Sequence, residues 1–337
     1  MAERTTRIRK VLLAIVAAVL LVGIAVWGYF AFTAPPICDA AQGLPVLDGT
    51  WSKGASMPTA RSEVAAAILD GKIYVAGGLA GAGATDAFEV YDTQANTWRK
   101  LPPLPTGPLH HAGLAAVGDR IILTGGYTDL AFNAVRSTWA FDPATESWEQ
   151  LADMPAPLGA HTTEGVGGML YLFGGAPGGY VTWRYDPATD QWEALSPMPE
   201  RLEHLGSGPL NEDSILVVGG RWDGQNSHRA IRYSIADDTS TLEPDLPTAR
   251  GGIGAASLGG VVFVAGGEQF NPMCTFDRVE AFDGSSWFST PPMPKPRHGL
   301  AAVADDETLY VIGGAYKAVG LTLTSATDDL LRFRPHK

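Results

Sequence analysis

The sequence predicts an all-β fold, a six-bladed β-propeller closed by pairing of an N-terminal strand with the C-terminal blade and preceded by one transmembrane helix. Three observations carry this expectation. Gly-Gly doublets recur six times at nearly constant spacing, a Trp stands seven residues before a Pro in five places, and an uncharged apolar run of 22 residues precedes the repeats.

The doublets fall at Gly77-Gly78, Gly125-Gly126, Gly174-Gly175, Gly219-Gly220, Gly266-Gly267 and Gly313-Gly314, with steps of 48, 49, 45, 47 and 47 residues. Each closes an apolar run (KIYVA, RIILT, MLYLF, SILVV, VVFVA, TLYVI) rich in β-branched and aromatic residues, as expected of strands buried on both faces. Upstream of most runs lies a weaker strand reached through a tight turn such as Asp70-Gly71 or Gly118-Asp119. Downstream come YDTQANTW, FDPATESW, YDPATDQW and FDGSSW, strands that end in Asp, turn and reach Trp. Trp51, Trp98, Trp148, Trp192 and Trp287 precede Pro58, Pro105, Pro155, Pro199 and Pro294, whereas Pro247 has Ser240 at the matching place. Each copy therefore reads as four strands, a to d. A single blade cannot bury both faces, so the copies must stack, and a ring leaves only short edges. After Gly314 the chain holds one more strand and no Trp, while Trp51 is a strand d without a, b or c before it, so the two ends should complete one blade.

Residues 11–32 carry no charge and are long enough to cross a hydrocarbon core of about 30 Å. Arg4, Arg7, Arg9 and Lys10 precede the run and Asp39 follows it, which orients residues 1–10 to the cytoplasm and the body to the periplasmic or extracellular side. A cleavable signal peptide fits less well, because Phe32-Thr33-Ala34 puts a bulky residue before the cut and Pro35 after it. A linker over 33–45, stiffened by Pro35 and Pro36, then leads to the propeller at 46–337. The formal charge of −12 gives no electrostatic reason to bind nucleic acid. Two cysteines without a C-x-x-C leave open whether Cys38 and Cys274 pair, and no motif calls for a cofactor or a metal.

The Gly-Gly doublet, the following Tyr-Asp or Phe-Asp and the spaced Trp together resemble the kelch repeat over about residues 45–335. The resemblance implies the propeller fold. For function it implies several different activities: adaptors that grip partner proteins, a copper oxidase acting on galactose, and bacterial periplasmic mutarotases acting on sialic acid. The oxidase needs a Tyr–Cys cross-link and further Tyr and His ligands, and no residue set around Cys274 matches them.

From each Pro to the next doublet the interval is 19 or 20 residues, while from doublet to Trp it varies from 18 to 23, so variation concentrates in the b-to-c loops. These loops share a face with the d-to-a connections around the channel mouth, which makes that face the expected site for a protein or carbohydrate ligand. Counting sixteen residues back from each doublet gives a rim column of Arg61, Leu109, Leu158, Glu203, Arg250 and Arg297, and the next residues are Ser62, His110, Gly159, His204, Gly251 and His298. Arginines there suit a carboxylate-bearing ligand. Three histidines on alternate blades invite a metal, but zinc needs nitrogens about 2.0–2.1 Å from one ion, and the channel is expected to be too wide. Arg221 and Glu268, just after two doublets, form with His204 the best proton donor and acceptor set for a sugar, or else a rim salt bridge. Trp222, Phe132 and Phe270 are expected as aromatic loop anchors.

Overall fold

The computed structural model describes residues 36–336 together with Arg9, Val16, Ala17 and Leu20. The chain divides into Met1–Pro35 and Pro36–Lys337. The transmembrane helix expected over 11–32 lies almost wholly outside the described residues, and among those described no helix is long and apolar enough to cross a membrane.

Six four-stranded antiparallel sheets make the six blades. Strands a to d are Ala65–Leu69, Lys72–Ala76, Phe88–Asp92 and Thr97–Lys100 in blade one, and Gly113–Val117, Arg120–Thr124, Thr138–Asp142 and Ser147–Leu151 in blade two. Blade three has Gly159–Val166, Met169–Ala176, Thr182–Asp186 and Gln191–Ala194, and blade four Gly206–Asn211, Ser214–Val218, Ala230–Ser234 and Thr239–Leu242. Blade five has Gly254–Leu258, Val261–Ala265, Val279–Phe282 and Trp287–Ser289. Blade six takes His298–Ala304, Leu309–Ala315 and Leu330–Pro335 from the C-terminal end and its outer strand, Gly49–Lys53, from the N-terminal side. The expected closure is therefore present, in antiparallel register from Gly49 opposite Pro335 to Lys53 opposite Leu331, with the Trp51 and Phe333 rings 5.0 Å apart.

Strand b is apolar because both its faces are covered, and Ile215, Leu216, Val217 and Val218 are fully buried. Two backbone circles join the blades. The second glycine of each doublet donates its N–H to the next blade's d-to-a connection: Gly78 to Leu109, Gly126 to Leu158, Gly175 to Leu202, Gly220 to Arg250, Gly267 to Arg297 and Gly314 to Arg61, at 2.7–3.0 Å. Glycine is needed for that approach. Gly77 and Gly78 hold φ of +59° and +108°, and a Cβ at Gly77 would stand 2.4 Å from the Leu109 carbonyl oxygen. The second circle lies two residues further on. Glu63 donates to Gly299, His111 to Glu63, Ala160 to His111, His204 to Ala160, Gly252 to His204 and Gly299 to Gly252, at 2.6–3.1 Å.

The spaced Trp has one role in four of its five places. Its Nε1–H donates to a carbonyl of the preceding blade: Trp51 to Pro291, Trp98 to Ala55, Trp192 to Ala152 and Trp287 to Pro244. The c-to-d turn grips the same preceding segment from the other side, as Asn96 Oδ1 accepts from Ala55 N–H and Asp190 Oδ1 from Ala152 N–H. Blade four, which has Ser240 in place of Trp, keeps the turn half of this clamp, with Asp238 accepting from Ser196 N–H.

Residues 36–45, expected as a linker, are seated on blade five. Thr275 N–H donates to Pro36 and Ser289 N–H to Pro45, Cys38 N–H donates to Thr275, and Cys38 forms a disulfide with Cys274 across a sequence separation of 236.

The arginine column is not a rim. Arg61, Arg250 and Arg297 are fully buried inside their own blades, where they donate to strand b carbonyls and to Glu89, Glu280 and Asp329. Each closes the top of its sheet by donating to strand b carbonyls there. The other blades solve the same place with apolar pairs, Leu158 with Trp183 and Leu202 with Ile231. Glu203 does not belong to this column. The register irregularity between Pro209 and Asn211 adds a residue to strand a of blade four, so Leu202 takes the column position and Glu203 and His204 each move one place along.

A buried ion pair loses far more when broken than when replaced. Arg250→Leu should cost about 3–5 kcal/mol of unfolding free energy by leaving Glu280 buried without its partner. Arg250→Leu with Glu280→Ile, which copies blade four, should recover most of that in the same denaturant titration. Equal losses in the single and double variants would contradict this role.

Candidate functional site

The inner circle sets the site. All six of its residues have positive φ: 52° at Glu63, 54° at His111, 55° at Ala160, 52° at His204, 68° at Gly252 and 58° at Gly299. For the four that are not glycine this conformation costs on the order of 1 kcal/mol each, and such strain concentrates where side chains have work to do. These six residues line one small space of about 80 Å³ at the mouth of the channel. Below it lies a cavity of about 310 Å³ walled by strand a of every blade, largely small and apolar residues such as Ala66, Ala115, Gly206, Ala256 and Ala302.

Glu63, His111 and His204 converge, with one ligating atom of each within 4.8 Å of the others. Glu63 Oε2 lies 3.1 Å from His111 Nε2, and the His111 and His204 rings meet edge to face at 4.7 Å. His110 stands behind His111 with Nδ1 2.5 Å from its Nδ1, while His110 Nε2 lies 2.9 Å from the Asp129 carbonyl oxygen. On the other side Arg221 donates to Glu268 at 2.8 Å and lies 3.6 Å from Glu203, which lies 3.4 Å from His204 Nδ1. His298 Nδ1 lies 3.4 Å from both Glu63 and Glu268, and Val319 N–H donates to Glu268 Oε2. One network of three carboxylates, one guanidinium and four imidazoles thus rims the mouth.

Its protonation follows from these contacts. Burial works to raise the Glu63 carboxyl, but the attraction and hydrogen bonds of His111 and His298 hold it well below the usual carboxylate range. Glu268 and Glu203 are also lowered against burial, chiefly by His298 and Arg221 for the first and by His204 for the second. His298 is raised, because Glu268 and Glu63 outweigh its burial. His110 and His204 are both drawn down to about 4, by burial first and then by His111 and Arg221 respectively, so both are neutral at neutral pH.

Of the residues expected at the site, His110, Glu203, His204, Arg221, Glu268 and His298 are brought together here. Arg61, Arg250 and Arg297 are not. Trp222 is half-buried beneath the Arg201 guanidinium, 4.7 Å above its ring, and Phe270 is covered by that of Arg221 at 4.3 Å. Phe132 is 53% exposed and reaches the His110 ring at 5.6 Å. The count along the sequence passed over Glu63 and His111, which lie one place beyond the second column. It also set His204 beside His110 and His298, whereas its partners are Glu63 and His111.

The repeats match known proteins. Residues 46–175 match the KLHDC2/KLHL20/DRC7 kelch-repeats domain family. The chain is 29% identical over 304 residues to the Kelch-like protein terF of Aspergillus terreus, covering 85% of this chain and 56% of that one. It is 30% identical over 236 residues to Kelch-like protein 35 of Mus musculus, covering 67% of this chain and 39% of that one. The chain thus spans about half the length, or less, of these curated relatives. A solved structure, that of YjhT, superimposes with a TM-score of 0.70 at 17% identity over 82% of this chain and 95% of that one, a likeness that concerns the fold. The family match and the relatives support the kelch-repeat family for this chain, and the fold is the six-bladed propeller of that class.

One carboxyl inside the channel is set apart from the mouth. Glu164, on strand a of blade three, accepts from Ser207 Oγ at 2.8 Å, yet burial pushes its carboxyl up to about 7 from 4.5. A raised acid favours the folded state while it keeps its proton, so this stabilisation is complete below pH 4.5 and is lost as pH rises through about 7. Glu164→Gln should flatten the fall in thermal midpoint between pH 5 and 8. An unchanged slope would show that Glu164 titrates in its ordinary range.

Proposed function

We propose that this chain is a protein-binding propeller, tethered to a membrane by residues 11–32 and holding its partner through the b-to-c loop face on the extracytoplasmic side. One observation carries the binding reading. Six large apolar side chains described between residues 49 and 336 are exposed, and five of them, Leu130, Phe132, Tyr180, Met273 and Val319, lie on b-to-c loops of blades two, three, five and six. Apolar side chains gathered on one face around a mouth are what a partner protein buries. The polar network beneath supplies directional contacts at the centre of that ring of anchors. Support for the compartment comes from the positive charges that precede residues 11–32 and from the Cys38–Cys274 disulfide, a bond that persists in oxidising surroundings.

A second reading, interconversion of sugar anomers at the mouth, is supported by the carboxylates and imidazoles within 3.4 Å of one another there. The two separate in one preparation of the full chain in detergent. Capture of partners after cross-linking should fall at least tenfold with Phe132→Asp, Tyr180→Ser and Met273→Asp combined, and should be unaffected by Leu242→Asp on the outer edge of blade four. Undiminished capture by the triple variant would overturn the proposed face. Acceleration of anomer exchange, followed by proton NMR on candidate sugars, would establish the enzymatic reading instead.

A further inference from the structure

The three side chains thrown over the channel mouth by left-handed backbone belong to the polar network beneath the apolar anchors and also form a donor set for a cation. The tautomers follow from fixed partners. The Asp129 carbonyl can only accept, so His110 Nε2 carries the proton and the Nδ1 of that ring is an acceptor. His111 Nδ1, 2.5 Å away, must then donate to it. The Nε2 of His111 faces a carboxylate oxygen of Glu63 at 3.1 Å, where it either carries a proton and donates or stands as a lone pair. Two acceptors at that separation repel unless a cation lies between them. A proton would serve those two groups alone. A third donor, His204, converges on the same point, and its Nδ1, 3.4 Å from Glu203, has no hydrogen-bond partner among the described residues.

We propose that Glu63, His111 and His204 bind a divalent transition metal on the axis of the propeller. Two imidazoles and one carboxylate suit zinc and its neighbours, and metal–ligand bonds of about 2.0–2.1 Å place donors about 3.3 Å apart around a tetrahedral ion. Glu63 and His111 already stand at that spacing, and the third donor lies within 4.8 Å of both. The surroundings are those of a built site. His110 and Glu203 orient the two imidazoles from behind, as outer partners of metal-bound histidines do. A Cβ at Gly299 would stand 2.4 Å from Glu63 Oε1, so glycine there makes room for the carboxylate. Ala160, Gly252 and Gly299 leave the rest of the circle without bulk, which provides space for water or an anionic group at the remaining coordination position. Three carboxylates, Glu63, Glu203 and Glu268, stand around the mouth with the single guanidinium of Arg221, surroundings that suit a dication.

Full-length chain without a histidine tag, stripped with chelator and dialysed against micromolar Zn2+, should retain about one equivalent by elemental analysis. His111→Asn and His204→Asn, chosen because Asn tolerates the left-handed backbone, and Glu63→Gln should each retain at least tenfold less. His336→Ala, at an exposed histidine beside Asp48, should retain the full equivalent. Should the ring variants fail to fold, the unaltered chain loaded with Co2+ decides, since ligation by this set predicts intense visible bands of a tetrahedral ion. Absence of stoichiometric zinc and of those bands, or zinc retained by folded ring variants, would overturn the proposal and assign the cation between Glu63 and His111 to a proton.

Discussion

A circle of six backbone hydrogen bonds, each running from one left-handed residue to its counterpart on the preceding blade, is the constraint on which the rest of this structure depends. A linear stack of the same repeats would leave an N–H at one end and a C=O at the other without partners, at about 1–3 kcal/mol for each buried group. The doublet glycines impose a second circle outside the first, and the Trp clamps a third set of contacts at the outer edge. Completing blade six with the strand Gly49–Lys53 is the covalent counterpart of the same requirement, since it ties the first blade to the last.

The circle also explains why the chemistry lies where it does. A residue with positive φ cannot continue along its strand with the usual alternation, and here the resulting side chains line the mouth of the channel. Three of the six places carry Glu or His and the others Gly or Ala, so the donors of blades one, two and four meet over a circle that the other three places leave without bulk. Buried charge inside the blades does different work. Arg61, Arg250 and Arg297 saturate carbonyls at the top of a sheet, and the neighbouring blades show that Leu with Trp or Ile fills the same volume.

Fold was legible because its determinants are local and repeated. Each Gly-Gly doublet marks a close approach that only glycine allows, four of the five spaced Trp residues mark a clamp, and the missing Trp at Ser240 marks the blade whose clamp is half formed. The site was legible only in part. Counting from the doublet assumes strands of equal length, and one extra residue near Pro209 moved Glu203 and His204 out of step. Arginine at a strand entrance read as a rim residue because its partners, Glu89, Glu280 and Asp329, lie 28 to 32 residues away on another strand. Glu63 and His111 carried no mark of their own, since neither residue type announces a left-handed backbone. The docking of residues 36–45 on blade five likewise rests on contacts more than 200 residues distant in sequence, which no local pattern encodes.

Amide hydrogen exchange tests the circle most directly. The N–H groups of Glu63, His111, Ala160, His204, Gly252 and Gly299 should exchange together, at the rate of global unfolding, and should all lose protection when residues 46–53 are deleted. Independent exchange at these six amides, or protection that survives the deletion, would contradict a closed ring as the basis of the fold.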